Sequence, residues 1–311
     1  MFDAEKHPKL AAWYGATRPR VFTATYVPMA LAGVIALEDG VFRIVPFLLA
    51  LLGVLLLQTG ANFINEYFDY TRGVDDKKEA GQSLTLKDKA LTPNEILIGA
   101  IVTIIGGSLI GLYLLSQSGN LLWLIGIGGV LVAITYTAGP FPLAYNGLGE
   151  VAVAIFMGPA IVVGAYYVMD TRVDWHLVWA SLPIAFMVAA ILHANNIRDL
   201  KSDAQVNKRT LAVIFGRKIA NHEYAFLTLG AYGLLVGLVI LQIVPPFSLI
   251  AFLTLPEAWE LTQTYYQTDD VPTMHQAQGR TARLHGRFGY LIALGWLVWL
   301  IVGEGTKLLF A

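Results

Sequence analysis

The chain has no cysteine among its 311 residues, which excludes disulfides, thiolate zinc sites and cysteine-held iron–sulfur clusters. Charge is scarce as well. Only 14% of residues are Asp, Glu, Lys or Arg, and they balance to a net −1, so no basic excess recruits nucleic acid and none is expected as a partner. No glycine-rich phosphate loop follows a strand-like segment, which leaves out the common nucleotide-binding motifs. The six histidines are scattered without metal-ligand spacing. The first twenty residues carry Lys6, Lys9, Arg18 and Arg20 and lack a small-residue cleavage site, so the first apolar run is expected to be a retained anchor.

What is present is apolar. Hydrophobic residues make up 56% of the chain and mean hydropathy is +0.60, the composition of a polytopic membrane protein. Nine runs stand out, at about 21–37, 44–65, 96–115, 121–137, 151–168, 178–195, 224–244, 246–258 and 288–302. A helix needs about 20 residues to cross the hydrocarbon core, so the eighth run is short; it either extends through Gln263 or re-enters. The expectation is one all-α transmembrane domain over 1–311, with about nine helices around a central cavity.

The basic residues orient these spans. With the N-terminus inside, all but Arg43, Arg172 and Lys307 of the 21 Lys and Arg fall on the inner side. That places the N-terminus in the cytoplasm of a cell whose inner membrane holds the chain. Two long polar segments, about 70–94 and 200–221, then lie inside and read as caps over whatever the bundle encloses.

Two acidic clusters directly precede these segments. Asn62, Asn65, Glu66 and Asp69 fall at i, i+3, i+4 and i+7 of one helix face, with Asp75 and Asp76 just beyond. Asn196, Asp199 and Asp203 repeat the spacing i, i+3, i+7 on another helix, beside Asn195. Carboxylates and amides in this pattern suit Mg2+ ions that hold a diphosphate, and suit a lipid-facing stripe badly. Basic residues are interleaved with the acids, as charge on a phosphate leaving group requires. Arg72, Arg198 and Lys201 are the individual candidates, while Lys77, Lys78, Lys208 and Arg209 contribute a positive field. Tyr67, Tyr136 and Tyr145 lie near the same ends of their spans and could line an aromatic cavity. His193, one turn before the second cluster, is expected to be a buried, hydrogen-bonded histidine. Gly107 and Gly111 allow close helix packing.

At these residues the sequence resembles the UbiA superfamily of intramembrane prenyltransferases. Asn65-Glu66-Tyr67-Phe68-Asp69, continuing through Gly73 to Asp75, is similar to the family's first aspartate-rich motif, and Asp199-Leu200-Lys201-Ser202-Asp203 to its second. Asn195-Asn196-Ile197-Arg198-Asp199, Thr210-Leu211-Ala212-Val213, Tyr136-Thr137-Ala138-Gly139-Pro140, the stretch from Tyr145 to Glu150, Phe156-Met157-Gly158-Pro159 and Arg18-Pro19 look like the branch that prenylates 1,4-dihydroxy-2-naphthoate for menaquinone. Two departures stand out. Glu66 replaces the usual Asp, and Gly81-Gln82-Ser83-Leu84-Thr85-Leu86-Lys87 replaces an Arg with a proline-containing pair, leaving Lys87 or Lys89 as substitute contacts to the distal phosphate.

The resemblance implies transfer of a polyprenyl group from a polyprenyl diphosphate to an aromatic acceptor at the membrane, with Mg2+ as cofactor. It implies metal ligation by Asn65, Glu66, Asp69, Asp75, Asp199 and Asp203. Asn62, Asn65, Arg72, Asn196, Arg198, Lys201, Tyr67 and Tyr145 would bind substrate. Asp69, Asp199, Asp203 and Tyr136 would be the catalytic set. Other acceptors stay open at this level: 4-hydroxybenzoate, a lipid glycerol phosphate or a chlorophyll precursor. From a different class, an ion-coupled transporter would use the same acids as a cation site, nearer the bilayer midplane.

Overall fold

A computed structural model describes residues 7–81 and 84–310, with 304–310 as backbone only. Lys6, Gln82, Ser83 and the side chain of Lys307, all used above, lie outside the described residues. Thirteen α-helices follow one another among the described residues, with no strands. They are α1 Pro8–Ala16, α2 Thr23–Glu38, α3 Ile44–Thr71, α4 Val74–Lys77, α5 Pro93–Gln117, α6 Leu121–Thr135 and α7 Gly149–Phe156. After these come α8 Pro159–Tyr167, α9 Trp175–Arg198, α10 Leu200–Gln205, α11 Leu211–Ile240, α12 Leu255–Gln267 and α13 Val271–Phe310.

Every apolar run becomes helix, but the runs are unequal. Six helical stretches are long and apolar enough to cross a membrane by themselves. A seventh forms if α1, the turn at Pro19–Val21 and α2 count as one span bent by 51°. The fourth run is the 15-residue α6. The fifth spans α7 and α8, broken at Met157-Gly158. The eighth is a 3-10 segment, Pro246–Thr254, leading into α12.

The eighth run packs against α13. Gly295 of α13 lets the backbone at Phe247 approach so closely that a Cβ would lie 2.3 Å from the Phe247 carbonyl oxygen. The neighbouring atom is backbone and cannot swing aside. Gly295→Val should therefore lower thermal stability by about 1–3 kcal/mol or more, a typical overpacking cost, read as a shift in Tm in detergent. Gly289→Ala is less diagnostic, because it meets the side chain of Val27.

Burial runs from the inside out. α9 occupies the middle of the bundle, with residues such as Ile184, Met187, Ala190 and Ala194 fully buried. α5 and α6 instead expose Val102, Ile105, Leu109, Leu124 and Leu131, an apolar surface suited to lipid. α3 and α5 lie against each other through glycine. Gly107 faces Gly53, whose carbonyl would stand 2.9 Å from an added Cβ, whereas Gly111 has open space beside it.

Local signals place the acidic clusters. α3 ends where Gly73 takes a left-handed conformation (φ 71°), and the turn brings α4 and Asp75 back beneath Asp69. α9 ends at Arg198, and α10 starts directly after Asp199. α5 begins in a capping box, Thr92 with Glu95, with Lys9 paired to the same glutamate. Thr210 caps α11 through the Val213 amide. A single bridge between Asn146 and Arg209 ties the 143–147 loop to the segment after α10.

Candidate active site

Both acidic clusters sit at helix C-termini, where the backbone's partial negative charge already disfavours carboxylates. Bringing two such ends together costs stability unless cations intervene. The structure supplies them. Lys208 Nζ stands 3.6 Å from Asp69 Oδ2 and 3.6 Å from Asp203 Oδ1, so one buried ammonium joins the two clusters. Lys78 bridges Asp69 (3.0 Å) and Asp75 (2.9 Å). Tyr145 donates its hydroxyl to Asp69 Oδ1 at 2.6 Å. Asp199 is gripped by the Arg198 guanidinium through two bonds of 2.6 Å, and Arg198 also reaches Asn195 and His275.

These contacts set the protonation states outside the spans. Burial alone would lower the Lys208 ammonium, but Asp69, Asp203 and Asp199 raise it, so it stays charged. Lys78 behaves the same way: burial opposes, and Asp69 leads the carboxylates that raise it. Burial raises Asp75 against the pull of Lys78. Burial and the nearby Asp69 carboxylate raise the Tyr145 phenol. Asp203 is pushed up to about 6, first by burial, with Lys208 opposing and Asp199 adding to the rise. Among the described residues, neither of its buried carboxylate oxygens has a hydrogen-bond partner.

Beneath this charged head lies a cavity of about 590 Å3. Asn62, Asn65, Asp69, Lys78, Asn195, Asn196, Arg198 and Lys208 line its polar end. Its long remainder is walled by Val54, Leu57, Ile110, Leu114, Ile125 and Phe156, from α3, α5, α6 and α7. Tyr136 faces the same space. An apolar tube under a cluster of charge fits a molecule with a lipid tail and a polyanionic head.

Not every expected residue joins in. Glu66 is turned to the cap, where its Oε1 accepts from the Thr85 hydroxyl and from the Leu86 amide at 3.2 Å. Arg72 donates to the carbonyls of Thr137 (2.7 Å) and Gly139 (3.3 Å) and lies over the Tyr145 ring, so it braces the 137–145 loop. Tyr67 packs edge-on against Phe68 in a satellite cluster with Phe63, Leu86 and Leu91. Lys201 is exposed on α10 and Asp76 is exposed on α4. Asn62 donates to the Thr17 carbonyl at 2.9 Å, fastening the N-terminal helix to α3 while lining the cavity. Conversely, Lys78 and Lys208 form the core of the site, although the sequence singled out neither. A signal existed for each: Lys78 lies at i+3 from Asp75, and Lys208 follows the second motif just before the cap at Thr210. Arg18, left-handed at the bend before Pro19, also lines the cavity, and its buried Nε has no hydrogen-bond partner among the described residues.

A membrane bundle with an apolar-walled cavity beside a lysine-bridged carboxylate pair has the features of an enzyme for substrates that join a lipid tail to a charged head. Comparison with known proteins gives the family: the sequence model of the UbiA prenyltransferase family matches residues 26–277, and the chain belongs to that family and is a prenyltransferase. It is 32% identical over 282 residues to the 1,4-dihydroxy-2-naphthoate octaprenyltransferase of Bacillus subtilis, covering 91% of each chain. It is 31% identical to a UbiA prenyltransferase domain-containing protein 1 homolog of Drosophila melanogaster, covering 91% of this chain and 78% of that one. Among solved structures, a UbiA homolog from Archaeoglobus fulgidus bound to GPP and Mg2+ superposes with a TM-score of 0.65 at 15% identity, over 91% of this chain and 99% of that one. A structure reported for digeranylgeranylglyceryl phosphate synthase gives 0.57 at 16% identity, over 93% and 99%. The transporter reading gives way to these findings.

Proposed function

We propose that this protein transfers a polyprenyl group from a polyprenyl diphosphate to 1,4-dihydroxy-2-naphthoate, in a Mg2+-dependent step of menaquinone synthesis on the cytoplasmic side of the inner membrane. The observation that carries the reading is Lys208 between Asp69 and Asp203 at the head of an apolar cavity. The names of its relatives support the acceptor.

The donor set suits a hard cation. Asp69, Asp75, Asp199, Asp203 and Asn65 offer only oxygen through their acidic and carbonyl groups, and the two orphaned oxygens of Asp203 are buried ligands in need of a partner. Among the described residues no three acidic or imidazole side chains yet converge on one point, because Lys78 and Lys208 stand between them. Bound Mg2+ would supply charge neutralisation to the departing diphosphate.

The chain's own groups do the rest. Lys78 and Lys208 are the ammonium donors beside the diphosphate, and their N–H groups meet the negative charge that grows as the carbon–oxygen bond breaks. The diphosphate leaves with the bonding electrons, so the prenyl C1 becomes an allylic cation. The rings of Tyr136 and Tyr145 offer π faces for such a cation. The cap is latched by Glu66 to Thr85 and Leu86, which keeps out the water that would otherwise capture it. The electron-rich ring carbon bearing the carboxylate attacks C1, and loss of CO2 returns the electron pair to the ring.

Purified protein given labelled geranylgeranyl diphosphate and a panel of aromatic acceptors should prenylate 1,4-dihydroxy-2-naphthoate, and preference for another acceptor would overturn the assignment. EDTA should abolish turnover and Mg2+ restore it. Asp203 titrates near 6, so protons compete with the metal there. The Mg2+ concentration for half-maximal activity should rise by up to about tenfold per pH unit below pH 6 and stay flat above it. An unchanged requirement at pH 5 and pH 7.5 would remove Asp203 from the metal site.

A further inference from the structure

One buried polar group has no part in the chemistry so far. Glu150, at the start of α7, holds two partners on a single oxygen: it accepts from Asn196 Nδ2 at 2.9 Å and is hydrogen-bonded to His193 Nδ1 at 2.9 Å. The other ring nitrogen of His193 faces the Ala220 carbonyl at 2.9 Å, with Glu223 at 3.6 Å. Both Glu150 and His193 are buried, and among the described residues Glu150 Oε2 has no hydrogen-bond partner.

The chemistry of the partners fixes the arrangement. A carbonyl oxygen only accepts, so His193 Nε2 carries a hydrogen. The contact between His193 Nδ1 and Glu150 is a hydrogen bond between two buried partners. Glu150 can take a hydrogen from Asn196 only if the amide nitrogen faces it. The Asn196 orientation is therefore set from behind: its Nδ2 is committed to Glu150. Among the described residues no hydrogen bond engages its Oδ1, and Asn196 lines the cavity. Tyr136, also on the cavity wall, stands beside Glu150's neighbour: its hydroxyl would lie 3.4 Å from a Cβ on Gly149.

A phosphate needs donors, and one of the two N–H groups of Asn196 is already committed to Glu150. Turned to the cavity, its carbonyl oxygen can meet a hydroxyl or a metal ion, and only the first ties it to the acceptor rather than to the diphosphate. We propose that Glu150 and His193 are positioning residues that hold Asn196 with its carbonyl toward the cavity, so that it accepts a hydrogen bond from a ring hydroxyl of the aromatic acceptor and not from anything on the prenyl diphosphate. Asn196 thereby moves from the diphosphate side of the site to the acceptor side. The inference rests on the aromatic-acceptor reading above.

Steady-state kinetics on the full-length protein in detergent test it, varying each substrate in turn. With geranylgeranyl diphosphate and 1,4-dihydroxy-2-naphthoate, Glu150→Gln lets the Asn196 amide turn over, and Asn196→Ala removes the acceptor oxygen. Each should raise the KM for the acceptor about tenfold, the worth of one lost hydrogen bond, with the KM for the diphosphate within about twofold of wild type. The double variant should be no worse than Asn196→Ala alone, since Glu150 acts through Asn196. An O-methylated acceptor should lose its disadvantage in both single variants. If Glu150→Gln fails to fold, Asn196→Ala still decides, because it leaves the Glu150–His193 contact in place. Equal rises in both KM values, or no rise in either, overturn the inference while leaving the prenyl-transfer reading intact. A wild type that prenylates no aromatic acceptor removes both.

Discussion

Asp69→Asn should yield a folded protein that has lost on the order of 10^3-fold or more in kcat/KM for prenyl transfer. The separation of folding from activity follows from the way charge is distributed. Asp69 is the one carboxylate approached by both lysines and by the Tyr145 hydroxyl. Asparagine keeps its volume and an oxygen for Tyr145 to donate to. Neither lysine is stranded, because Lys78 retains Asp75 at 2.9 Å and Lys208 retains Asp203 at 3.6 Å. No buried charge is left alone, so the usual large cost of breaking a buried ion pair is avoided. What disappears is the negative charge common to the two clusters, on which joint binding of metal and diphosphate depends in the proposed mechanism. Turnover of labelled prenyl diphosphate, with Tm measured on the same preparation, checks this. Activity within tenfold of wild type would show that Asp69 is a structural counter-ion for the lysines and nothing more.

The sequence carried the helices and the motif faces, because both depend on short-range periodicity. Asn62, Asn65 and Asp69 share a helix face by spacing alone, and the structure brings that face to the cavity or its charged head. What it could not carry is which side chain meets which across the bundle. Lys78 and Lys208 looked like members of the general positive-inside excess, because a lysine's role depends on the carboxylate that waits at the end of its flexible stem. Arg72 looked like a phosphate contact for the same reason in reverse. Its partners are the backbone carbonyls of Thr137 and Gly139, which no motif encodes. Glu66 differs from the family's aspartate by one methylene, and it is bonded to the cap at Thr85 and Leu86. The span count was legible only in part. The fifth run is broken after Phe156, and the eighth is a 3-10 segment set close against Gly295, a tertiary contact that hydropathy does not register.

Lys208→Met should behave in the opposite way to Asp69→Asn, with folding and activity failing together. Lys208 is buried over the Tyr145 ring (5.3 Å) and is the only cation the structure places within 4 Å of Asp203 among the described residues. Methionine fills the space and removes the charge. Asp69 keeps Lys78 and Tyr145, but Asp203 is left buried with neither a cation nor a hydrogen bond. Removing one member of a buried pair costs about 3–5 kcal/mol, so the metal-free variant should unfold at a clearly lower temperature at pH 7.5. The pH dependence identifies the cause. Asp203 already sits near 6 in the folded protein against 3.8 for the free side chain, so the folded state holds its proton more tightly. Such a group adds stability that is fully present below pH 3.8 and is lost as pH rises through 6. Without Lys208 the folded-state value climbs further, and the gap between variant and wild type should narrow as pH falls from 7.5 to 5.5. The exposed Lys201→Met serves as the comparison and should leave stability within about 0.5 kcal/mol, and turnover within about twofold, of wild type, as is usual for surface substitutions. A Lys208→Met protein with wild-type stability at pH 7.5 would mean that Asp203 is not held as a buried carboxylate at all, and the lysine bridge would lose its part in joining the two clusters.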